Sequence, residues 1–195
     1  SGSESNRREV SRNMFSEGYY AESVQYFARQ MALLDDRRKE LEKKEAGAPD
    51  ADKNWYRFSR ILLEQKIDEI YTALEQCTED EARAMEFLYS AMPLSDLLDY
   101  PAALYLEYAR HGVFLWKEGP FAGKVPEKLF ANYVLHYRAH NEDITDTRSF
   151  FYREIKDRIS GKNMYDAAVE INYWCAEKAT YRTTFMRTQN PMTMY

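Results

Sequence analysis

The spacing of apolar residues predicts helices along almost the whole chain. In the first part of the sequence Val24, Phe27, Met31 and Leu34 recur three or four positions apart, which places them on one face of an α-helix. This helix is predicted to span residues 7–46, because no proline interrupts the run and a Gly-Ala-Pro-Asp sequence stops it.

A second helix is predicted over residues 53–76. Its apolar stripe recurs at intervals of four, three, four and three positions. Since the link to the first helix is short, we expect the two helices to pack as an antiparallel hairpin. The stripe consists of Leu63, Ile67, Ile70, Leu74 and Cys77.

Capping residues and prolines delimit two further helices. Thr78, followed three positions later by Glu81, forms a capping box that predicts the start of a third helix. This helix must end before Pro93, because the residue preceding a proline disfavours the α conformation. Pro101 is predicted to open a fourth helix that runs to about Lys117.

Three more helices are predicted in the remainder of the chain. The fifth opens at Pro126 and continues to about His140. The sixth ends at Gly161, interpreted as a C′ glycine of the Schellman type. Asn163 is predicted to cap the seventh helix, which reaches about Tyr181.

These patterns predict an all-α fold of about seven helices in an orthogonal or bundle arrangement, with a long N-terminal helical hairpin. Residues 1–6 are expected to be a tag or disordered start, because Ser-Gly-Ser resembles a cloning remnant. Residues 7–182 form the helical domain, in which 7–77 are the hairpin and 78–182 a five-helix part. Residues 183–195 lack a helical stripe and are interpreted as a linker towards a downstream domain.

Charge and cysteine content narrow the function classes. The chain has 27 Lys and Arg against 32 Asp and Glu, and this net charge of −5 argues against a nucleic-acid partner. No apolar run approaches the roughly 20 residues that a membrane span requires. Two cysteines in 195 residues exclude a disulfide scaffold and favour a reducing, cytoplasmic location.

Neither cysteine has the sequence surroundings of a catalyst. A reactive thiol needs a helix N-terminus or a neighbouring cation, together with a base within reach. Cys175 falls deep inside the seventh helix, in line with Ala168, Ile171 and Ala179, so a buried structural cysteine is the preferred interpretation. Cys77 is interpreted in the same way from its position on the second stripe.

His136 and His140 are spaced for zinc binding but lack the rest of a zinc motif. Four positions apart on a helix, the two side chains would lie on one face, where Glu142 or Asp143 could supply a third ligand. The metalloprotease pattern needs Glu directly after the first His, and Tyr137 occupies that position. The preferred interpretation is therefore a pair of polar residues near a helix end, and we expect no metal and no cofactor.

The candidate binding residues surround one turn between two aromatic helices. A buried arginine–carboxylate pair there would either lock the turn or present a polar pocket, and the structural role is the preferred of the two. The residues are Arg138, Asn141, Glu142 and Arg148.

Three stretches of the second half resemble the region that precedes the catalytic core in bacterial transglutaminase-like proteins. They are Met92-Pro93-Leu94-Ser95-Asp96-Leu97, then Asn132 to Arg138 with Asn141-Glu142, and Ile171-Asn172-Tyr173-Trp174-Cys175. Tyr181 and the run Arg187-Thr188-Gln189-Asn190-Pro191 are similar to the segment that leads into the Gly-x-Cys nucleophile motif of that family. The resemblance covers about residues 85–195.

The resemblance implies a papain-like Cys-His-Asp site, in which a thiolate attacks an acyl group and a histidine shuttles the proton. In such proteins the nucleophile would follow Pro191, so no residue of this chain takes a catalytic role. The chain is expected to be a truncated, non-enzymatic N-terminal helical domain. Its partners would be its own downstream catalytic domain and a protein or peptide substrate.

A free-standing helical interaction module is the alternative prediction. The first helix carries aromatic residues with which it would bind a partner. They are Tyr19, Tyr20, Tyr26 and Phe27.

Overall fold

The computed structural model describes residues 17–138, 142–145 and 147–179. Within these ranges the regular elements are eight α-helices and one π-helical turn, and no strand is present. The predicted all-α class is therefore confirmed, with one helix more than the seven expected. The chain forms two compact units, whose described parts are residues 17–106 and 107–179.

The first unit begins with the predicted helical hairpin. Helix α1 (Glu17–Gly47) is followed by α2 (Asp50–Glu75). Glu45, near the end of α1, accepts hydrogen bonds from Nε of Arg57 at 2.7 Å and Nε of Arg60 at 3.1 Å, near the start of α2. Because the end of one helix contacts the start of the next, the pair is antiparallel.

The predicted stripes form the buried faces of the hairpin. Phe27, Met31 and Leu34 of α1 are buried, and so are Leu63 and Ile70 of α2. The side chains at the margin of each stripe are half-buried. These are Val24, Ile67, Leu74 and Cys77.

Helix α3 (Glu79–Ala91) packs against α1 and begins with the predicted capping box. The Thr78 hydroxyl accepts from the Glu81 amide at 3.3 Å, and the Glu81 carboxylate accepts from the Thr78 amide at 3.5 Å. The ring of Tyr89 lies 6.1 Å from that of Phe27 across the interface. The short helix α4 (Leu94–Asp99) follows.

Helix α5 (Ala102–Glu118) starts after Pro101, as predicted. Its first amide, from Ala102, donates to the Glu69 carboxylate of α2 at 2.5 Å. The Tyr105 hydroxyl donates to the Asp96 carbonyl of α4 at 2.7 Å. The boundary between the two compact units falls within α5, after residue 106.

This boundary differs from the division at 77/78 expected from the sequence. Helices α3 and α4, which follow position 77, belong to the same compact unit as the hairpin. The predicted start at 1–6 and the predicted linker at 183–195 lie outside the described residues.

The second unit contains the remainder of α5, a short helix α6 (Glu127–Leu129), a π-helical turn (Phe130–Val134), and helices α7 (Arg148–Ile159) and α8 (Met164–Lys178). Helices α7 and α8 pack through the rings of Phe151 and Trp174, whose centroids are 5.7 Å apart. The Arg158 guanidinium of α7 pairs with Glu170 of α8 at 3.0 Å. Within this unit α5 contacts α7 through Phe114 and Tyr152, at 5.5 Å.

The predicted regular helix from Pro126 to His140 is wrong. The chain changes to a π turn at Phe130. A hydrogen bond from the Leu135 amide to the Phe130 carbonyl, at 2.9 Å, closes this turn. Residues 135–138, which follow it, are not helical. The wider turn brings positions five apart to one side. Phe130 and Leu135, which are five positions apart, are both buried.

The end of α7 has the predicted glycine but a different turn. Gly161 has a φ of 72°, preceded by Ser160 with φ −56° and ψ 131°. These angles, with the hydrogen bond from the Lys162 amide to the Ile159 carbonyl at 3.1 Å, define a type II β-turn rather than a Schellman motif. Asn163 caps α8 as predicted, its side chain accepting from the Asp166 amide at 2.9 Å.

Candidate functional site

Three of the four predicted binding residues line one cleft of the second unit. The cleft has a volume of about 570 Å³, within the size range of small-molecule and peptide sites. Asn141 lies outside the described residues. The cleft is lined by Arg138, Glu142 and Arg148, with Tyr108, Asn132, Tyr133, His136, Tyr137, Asp143, Thr145, Thr147 and Phe151.

Tyr108 of α5 organises one wall of this cleft. Its hydroxyl donates to the Thr145 carbonyl at 2.7 Å, which ties the segment before α7 to α5. Its ring faces the guanidinium of Arg148, whose central carbon is 5.0 Å from the ring centroid. An arginine at this distance over an aromatic face gains a cation–π attraction. Tyr108 thus fixes both the backbone and the cation of the cleft.

Arg148, the first residue of α7, is a half-buried cation of the cleft. Its Nη1 donates to the Val134 carbonyl at the end of the π turn. Among the described residues, no carboxylate lies within ion-pair distance of this guanidinium. Burial lowers the pKa of Arg148 to about 10, and the nearby Tyr108 partly offsets this shift.

The sequence predicts an arginine–carboxylate pair in this turn, but Arg148 forms no such pair within the described residues. A backbone carbonyl and an aromatic face position its side chain instead. These neighbours carry no full negative charge, although the carboxylates of Glu142 and Asp143 also line the cleft.

Arg138 adds a positive charge to the cleft, and His136 adds a polar ring. The Arg138 guanidinium lies 5.9 Å from the centroid of the Tyr137 ring, and Tyr137 itself is buried. The pKa of His136 is lowered by burial of its ring and by the positive charges of Arg148 and Arg138, whereas Glu142 opposes the shift. The imidazole is consequently neutral near pH 7.

The predicted helical pairing of His136 with His140 is wrong. His136 follows the π turn and belongs to no helix, so the regular four-residue spacing on one helix face does not apply to it. His140 lies outside the described residues. No group of three or more His, Cys, Asp or Glu side chains in the described ranges has a geometry suited to a metal ion.

The predicted burial of Cys175 is also wrong. The buried face of α8 is formed by Ala167 and Trp174, seven positions apart, and Cys175 is exposed. The large indole of Trp174 packs against α7 and thereby turns the competing stripe of Ala168, Cys175 and Ala179 towards solvent. Cys77 is half-buried and its thiol donates to the Ala73 carbonyl at 3.3 Å.

Cys175 lies in the last turns of α8. No hydrogen bond joins it to an imidazole in the described part of the chain.

The first unit has a larger groove, of about 640 Å³, between α1 and α2. Four of its five charged side chains form two ion pairs, whereas the fifth, Arg37, is in no ion pair among the described residues. Lys44 contacts Glu40 at 2.8 Å, and Lys66 contacts Glu69 at 2.9 Å. Since four of these five charges are already paired and Arg37 is exposed, the groove offers less to a polar ligand than the smaller cleft around Arg148.

Sequence reasoning missed Tyr108 as a cleft residue. Tyr108 and Thr145 are 37 positions apart, and no local pattern links such distant positions. The sequence predicts His136 as one of a pair of polar residues near a helix end or, less favoured, as a metal ligand, although it lies within the stretch Asn132 to Arg138 that carries the family resemblance. That stretch was the available signal for its place in the cleft.

No helix in the described residues is both long and apolar enough to cross a membrane. Comparisons of the chain with family models, curated proteins and solved structures gave no match. The resemblance to transglutaminase-like proteins therefore remains a prediction.

Proposed function

We propose that this chain is a non-catalytic helical domain that flanks the substrate cleft of a transglutaminase-like catalytic domain. The observation that carries the proposal is the convergence of Arg138, Glu142 and Arg148 on one cleft. The stretch from Asn132 to Arg138 and Glu142, which carry the resemblance, supply half of its lining residues. Their role in this proposal is to bind and orient an acyl-bearing peptide.

The setting of Cys175 supports a non-catalytic role. Acyl transfer by a thiol requires a thiolate and a histidine that takes up and returns its proton. Cys175 is exposed near the C-terminal end of α8 and has no hydrogen bond to an imidazole among the described residues. Chemistry is therefore assigned to a neighbouring domain.

The proposal is tested by incubating the chain with a glutamine-donor peptide and hydroxylamine and measuring hydroxamate. We expect no turnover, while amide resonances of the cleft residues shift in the NMR spectrum when the peptide is added. Turnover that is lost in Cys175→Ala and retained in Cys77→Ala would contradict the non-catalytic role. Peptide-induced shifts confined to the first unit would contradict the assigned cleft.

A protein-interaction module is a second candidate, favoured by an exposed apolar face on α2. Trp55 and Phe58 are 64% and 63% exposed, and with Leu62 they occupy one helix face. Phe27 of the predicted aromatic surface is buried, and the side chains of Tyr19 and Tyr20 are outside those described. The occupant we propose for this face is a second copy of the chain, since identical faces pair about a two-fold axis.

Sedimentation velocity over a range of concentrations tests this second candidate. Self-association that is lost in Phe58→Ser and retained in Tyr71→Ser, which replaces an exposed tyrosine elsewhere on α2, would support it. A monomer at all concentrations would exclude it.

A further inference from the structure

The Arg148 guanidinium has hydrogen-bonding capacity that its neighbours leave unused. Its hydrogen bond within the described residues uses Nη1, which donates to the Val134 carbonyl. Arginine carries five N–H donors in a planar fork. Nε and Nη2 therefore remain for a group that enters the cleft lined by Arg148.

The electrostatic setting of Arg148 favours an incoming anion. Arg148 is half-buried, and desolvating a cation that has no carboxylate within ion-pair distance is costly, so an anionic ligand relieves part of that cost when it binds. Arg138 lines the same cleft and adds a second positive charge. α7 also begins at Arg148, so the positive end of its helix dipole faces the same region.

The remaining lining residues select the kind of anion. Glu142 and Asp143 also line the cleft, and their negative charges disfavour a dianion such as phosphate relative to a singly charged carboxylate. The rings of Tyr108, Tyr137 and Phe151 provide apolar walls that suit the side chains of a short peptide. A carboxylate is planar and matches the guanidinium fork at two points.

We propose that this cleft binds the C-terminal carboxylate of a short peptide, held by Arg148 through a two-point hydrogen bond while the aromatic walls contact the adjacent side chain. The inference rests on the proposed function in assigning a peptide to the cleft. The inference goes beyond that function by naming the chemical group that the cleft recognises. Tyr108 is a positioning residue, because its aromatic ring lies against the Arg148 guanidinium.

The direct test compares acetyl-Ala-Phe-Ala carrying a free C-terminal carboxylate with the same peptide carrying a C-terminal amide. Isothermal titration calorimetry at low salt should show that the acid binds at least ten-fold more tightly than the amide. Equal binding of the two peptides would overturn the carboxylate assignment but would leave the non-catalytic function intact. Inorganic phosphate that binds more tightly than the peptide acid would also overturn it.

Variants locate the site. Arg148→Gln should remove the preference for the acid, and Arg148→Lys should retain part of it, because lysine keeps the charge but lacks the fork. Arg153→Gln is the matched control, since Arg153 is an exposed arginine of the same helix that does not line the cleft. An acid preference that persists in Arg148→Gln would overturn the proposal.

A measurement on the unsubstituted protein covers the case in which Arg148→Gln does not fold. Binding of a carboxylate beside Arg148 adds negative charge near His136, so the pKa of His136 should rise when the peptide acid is bound and stay unchanged with the amide. An unchanged pKa with saturating acid would place the carboxylate elsewhere and overturn the proposal. Turnover dependent on Cys175 would contradict the proposed function alone.

Discussion

At the scale of single residues, buried polar groups are the points at which this chain departs from a simple apolar core. Tyr89 and Tyr105 are both fully buried, with ring centroids 5.3 Å apart. The Tyr105 hydroxyl donates to the Asp96 carbonyl, whereas the Tyr89 hydroxyl has no hydrogen-bond partner among the described residues. Burial accordingly raises the pKa of Tyr89 far above its ordinary value.

Removing these two hydroxyls should have opposite effects on stability. Tyr89→Phe removes a buried group that pays desolvation without a partner, so we expect no loss or a gain of up to about 1 kcal/mol in the free energy of unfolding. Tyr105→Phe deprives the Asp96 carbonyl of its donor and should cost about 1–3 kcal/mol. Urea denaturation of both variants measures the difference, and a larger loss in Tyr89→Phe would contradict it.

His136 provides a pH-dependent prediction at the same scale. Its pKa in the folded protein lies below the ordinary value of 6.5, so below that pH the unfolded chain takes up the proton first. The contribution of His136 to the free energy of unfolding is thus fully present above pH 6.5 and is lost as the pH falls through the folded pKa.

The cause of this shift is tested by NMR titration of the His136 ring. Arg148→Gln removes a positive charge and should raise the pKa of His136, whereas Arg153→Gln should leave it unchanged. An unaltered His136 pKa in Arg148→Gln would show that the guanidinium does not act on the ring.

At the scale of elements, most boundaries follow from local chemistry. The capping box at Thr78, the Asn163 cap and the start of α5 after Pro101 are all confirmed, because each depends on residues within a few positions. The π turn after Phe130 was not predicted. The Leu135 amide closes this turn, and the buried Leu135 side chain lies so close to Gly112 of α5 that a Cβ added there would come within 2.6 Å of it.

Two glycines at helix ends, Gly47 and Gly161, allow the effect of backbone conformation on stability to be measured without a change in packing. A Cβ added at either Gly47 or Gly161 meets nothing within 4 Å, but Gly161 alone of the two has a left-handed φ, of 72°. We expect Gly161→Ala to cost about 1 kcal/mol and Gly47→Ala to be neutral or stabilising by about 0.4–1 kcal/mol. Thermal unfolding of the two variants checks this, and equal midpoints would argue against the type II turn.

At the scale of the whole molecule, each compact unit has its own set of buried side chains. In the first unit this core forms where the stripes of α1 and α2 meet α3. In the second unit it includes Ile159 of α7 and Trp174 of α8. The described residues that line the candidate cleft all belong to the second unit.

Two adjacent leucines of α1 test where the core of the first unit lies. Leu34 is 0% exposed and Leu33 is 51% exposed. Leu34→Ala should lower the free energy of unfolding by about 2–5 kcal/mol through lost burial and the cavity it leaves. Leu33→Ala should change it by no more than about 0.5 kcal/mol. Chemical denaturation distinguishes them, and comparable losses would mean that α1 packs through a different face.

The sequence by itself determined the helical class, the hairpin and most of the caps. These features depend on residues one to four positions apart, and the periodicity of the chain records such neighbours. It also singled out Arg138, Glu142 and Arg148, because these charged residues surround a turn between two stretches rich in aromatic residues.

Only the tertiary structure decided that these residues line one cleft and that Cys175 is exposed. Contacts of this kind join Tyr108 to Thr145, 37 positions away, and Val134 to Arg148, 14 positions away. These hydrogen bonds form only where the packing of the chain brings distant residues together, and that packing leaves no local pattern in the sequence.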